Sequence, residues 1–266
     1  MKKLLIIIPI LVVIFIIILF SNKNYKLKIY VFDAGKADSS ILTYEDLTII
    51  IDTGEEDLFK DIDLYLNKKK IDKIDYLIIT HFDKDHVGSA YKLIDKYEVV
   101  NVIQTNTIKD SIYYEKYIES LNNKGISPIT VNGDYEINYN DLKLVINGPV
   151  KTYDKNESNN SSLITSIYYK NNSFIFMGDS EKDRLKDFIS SNNNTYDLVK
   201  IPYHGNYQKQ LNNLINNIKP KYSIICDNKI DTKLDILIKD NKIKNYITKN
   251  GSITILSDGD KIHIKQ

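Results

Sequence analysis

Thr80-His81-Phe82-Asp83-Lys84-Asp85-His86-Val87-Gly88 decides how this chain is read. Two imidazoles and two carboxylates, those of His81, Asp83, Asp85 and His86, fall within six residues. The run before them, Ile74-Asp75-Tyr76-Leu77-Ile78-Ile79, predicts a buried β-strand, and Ser89-Ala90-Tyr91-Lys92-Leu93-Ile94 after them predicts a helix. Side chains projecting from a loop at the end of a core strand make a rigid, open-faced site. That suits a hydrolytic metal centre, because one coordination position must stay free for water. Half of the four histidines in the chain are here, so chance clustering explains them poorly.

Two later segments repeat the design. Phe174-Ile175-Phe176-Met177-Gly178-Asp179 reads as a buried strand ending in Gly-Asp, where a carboxylate can bridge two metal ions. Val199-Lys200-Ile201-Pro202-Tyr203-His204-Gly205 ends a strand on a histidine. Alone, the first would be a turn or a helix cap, and the second a structural histidine. Behind the first motif, in this order, they point to one site. His263 stands in Lys261-Ile262-His263-Ile264 with no motif around it and is not read as a ligand. Lys68-Lys69-Lys70 reads as a solvated helix end.

From Lys26 onward strands alternate with helices, which makes the fold class α/β. Leu27 to Phe32 predicts a strand, and Ser40 to Thr43 with Leu47 to Ile51 a hairpin. Helices are expected over Leu58 to Leu66, Ser111 to Leu121, Glu181 to Ser190 and Gln208 to Ile218. Lys151 to Ser161 is polar and predicts a long loop. No linker and no internal repeat divide the chain, so residues 23–266 are expected to form one domain.

Composition sets few limits. The chain has 266 residues, 42% apolar and 27% charged, with a net charge of +1 that argues for no particular polyion. One cysteine, Cys226, excludes an internal disulfide and a multi-cysteine metal site. Residues 1–22 are expected to be a transmembrane signal anchor: Lys2-Lys3 precedes an unbroken apolar run from Leu4 to Phe20. Its seventeen residues reach about 26 Å as a helix, near the lower limit for a bilayer. No small-residue cleavage site follows it. Lys23, Lys26 and Lys28 balance Lys2 and Lys3, so flanking charge does not fix the orientation. A short N-terminus before a long soluble domain places that domain outside the cytoplasm, at the cell membrane.

Together these motifs resemble the metallo-β-lactamase superfamily, whose pattern is His-x-His-x-Asp-His. They resemble most its ComEC-type branch of competence-protein metallohydrolase domains, which carries Asp at the second ligand position, as Asp83 does. Val31-Phe32-Asp33-Ala34-Gly35-Lys36-Ala37-Asp38-Ser39-Ser40 is similar to the opening segment of that branch, and Ile51-Asp52-Thr53-Gly54 to its next strand end. Asn159-Asn160-Ser161-Ser162-Leu163 and the ending from Thr248 to Gly259 are similar as well. Two positions depart: Tyr203-His204-Gly205 stands where the branch commonly has His-His-Gly, and Lys229-Ile230-Asp231 after Asn228 offers no histidine.

The resemblance implies an αβ/βα four-layer sandwich preceded by one transmembrane helix. It implies one divalent ion on His81, Asp83 and Asp179, and another on Asp85, His86, His204 and the shared Asp179. The departures leave one or two ions open. Carboxylate-rich ligation suits Mn²⁺ as well as Zn²⁺. Asp85 and His204 are the candidate catalytic residues, with Asp85 as ligand or as the group that orients water. Asp33, Asp38 and Asp52 are expected to brace the ligands, and Tyr203 to donate to a developing oxyanion or simply to pack. The implied activity is a membrane-anchored phosphodiesterase or nuclease, rather than a β-lactamase, with a phosphodiester such as DNA as partner. A hydrolase of another ester or amide (a lactone, a choline phosphoester) and a non-catalytic binding domain with a degenerate site stand beside it. No protein partner follows from the sequence.

Overall fold

Apolar and polar residues alternate along β1 (Leu27–Val31), so Leu27, Ile29 and Val31 face one way and Lys28 and Tyr30 the other. The computed structural model in which this is seen describes residues 25–153 and 155–266. The expected anchor over residues 1–22 lies outside them. Among the described residues no helix is long and apolar enough to cross a membrane.

The chain lays down one sheet, then a second, and returns to the first. β1 is followed by β2 (Ser39–Tyr44), β3 (Leu47–Thr53), β4 (Lys73–Ile79), β5 (Glu98–Gln104) and β6 (Ile129–Thr130). The second sheet takes β7 (Asp134–Tyr139), β8 (Leu142–Asn147), β9 (Ile164–Tyr169), β10 (Asn172–Phe176), β11 (Leu198–Lys200), β12 (Tyr222–Ile225) and β13 (Lys244–Ile247). The last strands, β14 (Ile253–Ser257) and β15 (Ile262–Lys265), close on the first sheet, β14 antiparallel to β1. Among the described residues the orders are β15-β14-β1-β2-β3-β4-β5-β6 and β13-β12-β11-β10-β9-β8-β7. β3, β4 and β5 run parallel, as do β10 to β13.

Three apolar layers hold this together. Ile29, Val31, Ile49 and Ile51 of the first sheet meet Leu144, Ile167, Phe174 and Phe176 of the second. Outside the first sheet lie α1 (Phe59–Lys69), a single turn α2 (Lys84–Val87), α3 (Ala90–Lys96) and α4 (Ile112–Lys124). Outside the second lie α5 (Lys182–Ser191), α6 (Gln210–Ile218) and α7 (Thr232–Asp240). β4 and β10 are covered on both faces, which is why they read as continuous apolar runs. α6 shows the energetics: it buries Leu211, Leu214, Ile215 and Ile218, each contributing roughly 1.5–3 kcal/mol.

Three expectations are corrected. α7 was not predicted, although its signals are present: Asp231 caps it by accepting from the N–H groups of Lys233 at 2.8 Å and Leu234 at 3.3 Å, and Leu234, Leu237 and Ile238 form its buried stripe. The polar stretch expected as a loop winds into a 3-10 turn over Lys155–Ser161, ending on buried Asn160 and Ser161. The histidine motif is not a plain loop either, since Lys84–Val87 forms a helical turn begun by the N–H groups of His86 and Val87 on the Asp83 carbonyl.

Candidate metal centre

β3, β4 and α2 meet at Asp52. Its carboxylate accepts from the Thr80 N–H at 2.8 Å, the Thr80 hydroxyl at 2.7 Å and His86 Nδ1 at 2.8 Å. The Thr80 hydroxyl donates its hydrogen to the bond with Asp52, so its oxygen accepts from His81 Nδ1 at 3.1 Å. His204 Nδ1 donates to the Cys226 carbonyl at 3.1 Å. All three rings are thus oriented through Nδ1, and Nε2 is the nitrogen each presents inward.

What those nitrogens face is carboxylate. His86 Nε2 lies 3.3 Å from Asp179 Oδ1, and His204 Nε2 lies 3.0 Å from Asp179 Oδ2 and 3.3 Å from Asp85 Oδ2. Ligand atoms of Asp85, His86, Asp179 and His204 all fall within 4.8 Å of one another. Nε2 of His81, His86 and His204 and Oδ1 of Asp179 are buried without a directed hydrogen bond. Burying such atoms unpaired is costly, and a shared cation removes the cost. The electrostatics agree. Burial disfavours a charge on His86, but Asp179 and Asp52 outweigh it and hold its pKa well above the usual value. Burial likewise opposes the charge on Asp179, yet His86 and His204 hold it well below the carboxylate range. Asp85, also pushed up by burial, is held at about 2 by the neighbouring imidazoles of His204 and His86. A place that holds a proton this firmly between carboxylates fits a divalent cation.

His81 and Asp83 stand beside this cluster. The His81 ring centroid is 4.1 Å from that of His86, and burial followed by His86 lowers its pKa to about 4, so the ring is neutral at pH 7. Asp83 Oδ2 is 4.0 Å from His81 Nε2, while its Oδ1 accepts from Lys109 Nζ at 2.8 Å and Ser158 Oγ at 2.6 Å. Of the expected braces, Asp52 acts directly. Asp38 lies 3.6 Å from His204 Nδ1 and 4.0 Å from His86 Nδ1. Asp33 is exposed and its N–H donates to Ser252 Oγ; among the described residues its carboxylate forms no hydrogen bond or ion pair with a histidine.

Backbone shape aims the second half of the site. Tyr203 and His204 have φ of 54° and 50°, left-handed values that cost on the order of 1–3 kcal/mol each away from glycine. That turn carries His204 back over β10, with the Tyr203 N–H on the Gly178 carbonyl at 3.3 Å. Gly178 is itself left-handed (φ 51°), and a Cβ there would stand 2.9 Å from Thr80 Oγ1 and 3.1 Å from Ser162 Cβ. The two sheets could not close around the site with a larger residue there. Burial and nearby carboxylates push the Tyr203 hydroxyl up, which keeps its proton on at neutral pH.

Two cations were missed by sequence reasoning. Lys200 is buried, and its ammonium donates to Asp38 and, at 3.1 Å, to the Gly178 carbonyl. Burial lowers its pKa to about 8, with a smaller opposing effect from the Cys226 thiol. Its signal was a lysine inside the apolar run Leu198 to Ile201, where a charge needs a partner. Asp38, Asp52 and His86 also lie within metal-ligand reach of one another, but the Lys200 ammonium already supplies positive charge there. Arg184 is the single arginine of a chain with 36 lysines and arginines, and it is fully buried. Its guanidinium donates to the Ser162 carbonyl at 3.0 Å and to the Asn147 carbonyl and side-chain oxygen at 2.7 Å each. Ser162 in turn accepts from the Asp179 N–H at 3.2 Å and sits 3.4 Å from His81 Nδ1. Lysine cannot reproduce that fork. Arg184→Lys is expected to lower stability by about 1–3 kcal/mol in urea unfolding and to lower metal affinity with it; unchanged stability would show that the fork carries nothing.

Comparison with known proteins agrees with the fold. The chain is 27% identical over 166 residues to "ComE operon protein 3" of Bacillus subtilis (strain 168), covering 62% of this chain and 21% of that protein. It therefore spans about a fifth of that relative's length. The fold matches the metallo-beta-lactamase fold protein YhfI from Bacillus subtilis with a TM-score of 0.57 at 10% identity, over 90% of this chain and 99% of that one. It matches a metallo hydrolase from the archaeon Ignicoccus hospitalis with a TM-score of 0.53 at 13% identity, over 90% and 99%. It also matches CmlA, a diiron beta-hydroxylase from Streptomyces venezuelae, with 0.53 at 13%, over 82% and 52%. The family model of the metallo-beta-lactamase superfamily matches residues 33–226, from the segment before β2 to the end of β12, and the chain belongs to that superfamily.

Proposed function

We propose that this chain is a metal-dependent phosphodiesterase, tethered to the cell membrane by residues 1–22 with its metal centre outside the cytoplasm, and that DNA is among its substrates. The observation that carries the reading is the convergence of Asp85, His86, Asp179 and His204 around unpaired buried ligand atoms. His86, Asp179 and His204 would hold the ion, with His81 and Asp83 beside them for a second. When bound, a divalent ion supplies Lewis acidity and brings the ionisation of water toward neutral pH. The set of three histidines and three carboxylates suits Mn²⁺ or Zn²⁺.

The chain's own residues do the rest. Asp85 is the most open of the four clustered groups, with 22% of its side chain exposed. As an anion at neutral pH it would accept a hydrogen bond from the attacking water and orient it. Tyr203, protonated beside the site, donates to the oxygen on which charge develops. Lys109, at Asp83, and Lys36, whose ammonium stands 5.8 Å over the Tyr203 ring, flank the mouth with positive charge and favour an anionic substrate. The resemblance of the chain's motifs to the ComEC-type branch is what favours nucleic acid as that substrate.

The test strips metal from the full chain, restores Mn²⁺ or Zn²⁺, and follows bis-p-nitrophenyl phosphate and labelled single-stranded DNA, with Asp85→Ala as control. Metal-restored cleavage of both, lost in the variant, is expected. Cleavage of simple esters alone would replace the phosphodiester reading.

A further inference from the structure

The helices that cover the first sheet leave one side of it open. Their apolar layer takes residues from β1 to β5 but none from β14 or β15. Over β15, β14 and β1 the outer face is a groove of about 520 Å³. Lys28, Lys265 and, from the last turn of α1, Lys68 and Lys69 line it, with Tyr65 beside them and Tyr25 at its edge. Tyr25 is stacked on His263 at 6.3 Å.

Charge in this groove is one-sided. The chain as a whole has 36 basic and 35 acidic residues, yet no carboxylate is among the groove's lining residues. The four lysines are exposed, and among the described residues none of them is in an ion pair. Elsewhere on this surface a neighbouring carboxylate is common: Lys26 meets Glu45, Lys73 meets Asp75 and Lys96 meets Asp63. Four unpaired ammonium groups around tyrosines are a surface for phosphate oxygens.

Position decides which phosphates. β1 runs in the same direction as β3 and β4, through the antiparallel pairs β1–β2 and β2–β3. Asp52 and His81 follow from the C-terminal ends of β3 and β4, whereas Lys28 opens β1 and Lys68 and Lys69 end α1. The groove is therefore at the far end of the sheet, and a nucleic-acid strand held in it would not be presented to the metal centre. It is, however, where the apolar run arrives. Only Ser21, Asn22, Lys23 and Asn24 separate Phe20 from Tyr25, and the five steps between them span at most about 18 Å. A run that ends at the edge of the hydrocarbon must leave Tyr25 and its groove within or beside the headgroup layer.

We infer that this open face of β15, β14 and β1 is a membrane-contact surface that takes the phosphates of anionic lipid headgroups. It lays the domain on the bilayer with the metal centre at the opposite end. Tyr25 and Tyr65 suit that layer, where amphipathic rings collect, and lysines near an anionic surface each add about fivefold to its occupancy. The inference rests on the anchoring reading proposed above, and the experiment separates the two.

The full chain is reconstituted into vesicles of phosphatidylcholine alone and of phosphatidylcholine with phosphatidylglycerol. Flotation reports the anchor. Acylation of lysines by a membrane-impermeant reagent, resolved by mass spectrometry, reports the face, with Lys186 and Lys239 as references on the other sheet's helices. Flotation with both vesicles is expected. Labelling of Lys28, Lys68, Lys69 and Lys265 should fall about fivefold with phosphatidylglycerol and recover at high salt, while the references hold. Lys68→Glu with Lys69→Glu should cancel the protection of Lys28 and Lys265 without changing phosphodiesterase activity in detergent. Flotation with unchanged labelling overturns the face and leaves the anchor standing. Failure to float with either vesicle overturns both. Protection by a single-stranded oligonucleotide in detergent, with none from phosphatidylglycerol, assigns the face to nucleic acid and overturns the inference.

Discussion

Asp179→Asn is expected to remove metal binding and lower kcat/KM for a phosphodiester by more than about a hundredfold, while the protein stays folded. The carboxylate of Asp179 stands between two presented imidazole nitrogens, 3.3 Å from His86 Nε2 and 3.0 Å from His204 Nε2. Asparagine keeps its shape but brings an NH₂ group. That group donates to the nitrogen it faces, so the site satisfies itself and no longer calls for a cation. Asp52→Asn makes the useful comparison. Asp52 orients His86 through Nδ1 without facing the cluster itself, and residues behind a ligand typically cost about 10–100-fold. Metal content and steady-state rates on matched, folded samples check both. An Asp179→Asn variant within tenfold of the parent would remove Asp179 from the ligand set.

Lys200→Met should cost about 3–5 kcal/mol in urea unfolding, the loss that follows when one member of a buried ion pair is removed. Lys200 and Asp38 are both nearly without solvent, 2% and 5% exposed. Asp38 also ties the site's backbone together: its N–H donates to the Asp85 carbonyl at 3.0 Å, and its carbonyl accepts from the Gly54 N–H at 2.8 Å. A bare Asp38 carboxylate would sit 3.6 Å from His204 Nδ1 and draw it away from the Cys226 carbonyl. Asp38→Asn on top of Lys200→Met should restore part of the stability, because the unpaired charge is gone. A loss under about 1 kcal/mol for Lys200→Met would show that the pair is not desolvated as described.

These two residues mark where the sequence stops being legible. The strand of Leu27 to Val31 is readable because alternation is local, and the motif from His81 to His86 because its ligands are close in the chain. The Lys200–Asp38 pair joins residues 162 apart, and no local pattern states which carboxylate a lysine in an apolar run will meet. Arg184 is the same case: its rarity and its helix were visible, but Asn147 and Ser162, which it clamps, come from other strands' ends. Asp83 is similar. The family resemblance puts it among the ligands, and Lys109 and Ser158, which hydrogen-bond its Oδ1, come from distant parts of the chain that the motif does not reveal. Asp33 was placed by its motif, and the turn after β1 leaves it in solvent.

The most direct test is a Mn²⁺ titration of the metal-free full chain, read by electron paramagnetic resonance as loss of the free-ion signal, alongside Asp179→Asn. Saturable, stoichiometric binding by the parent chain and none by the variant is the predicted result. Equal binding by both, or none by either with Mn²⁺ or with competing Zn²⁺, would contradict a metal centre built on Asp85, His86, Asp179 and His204.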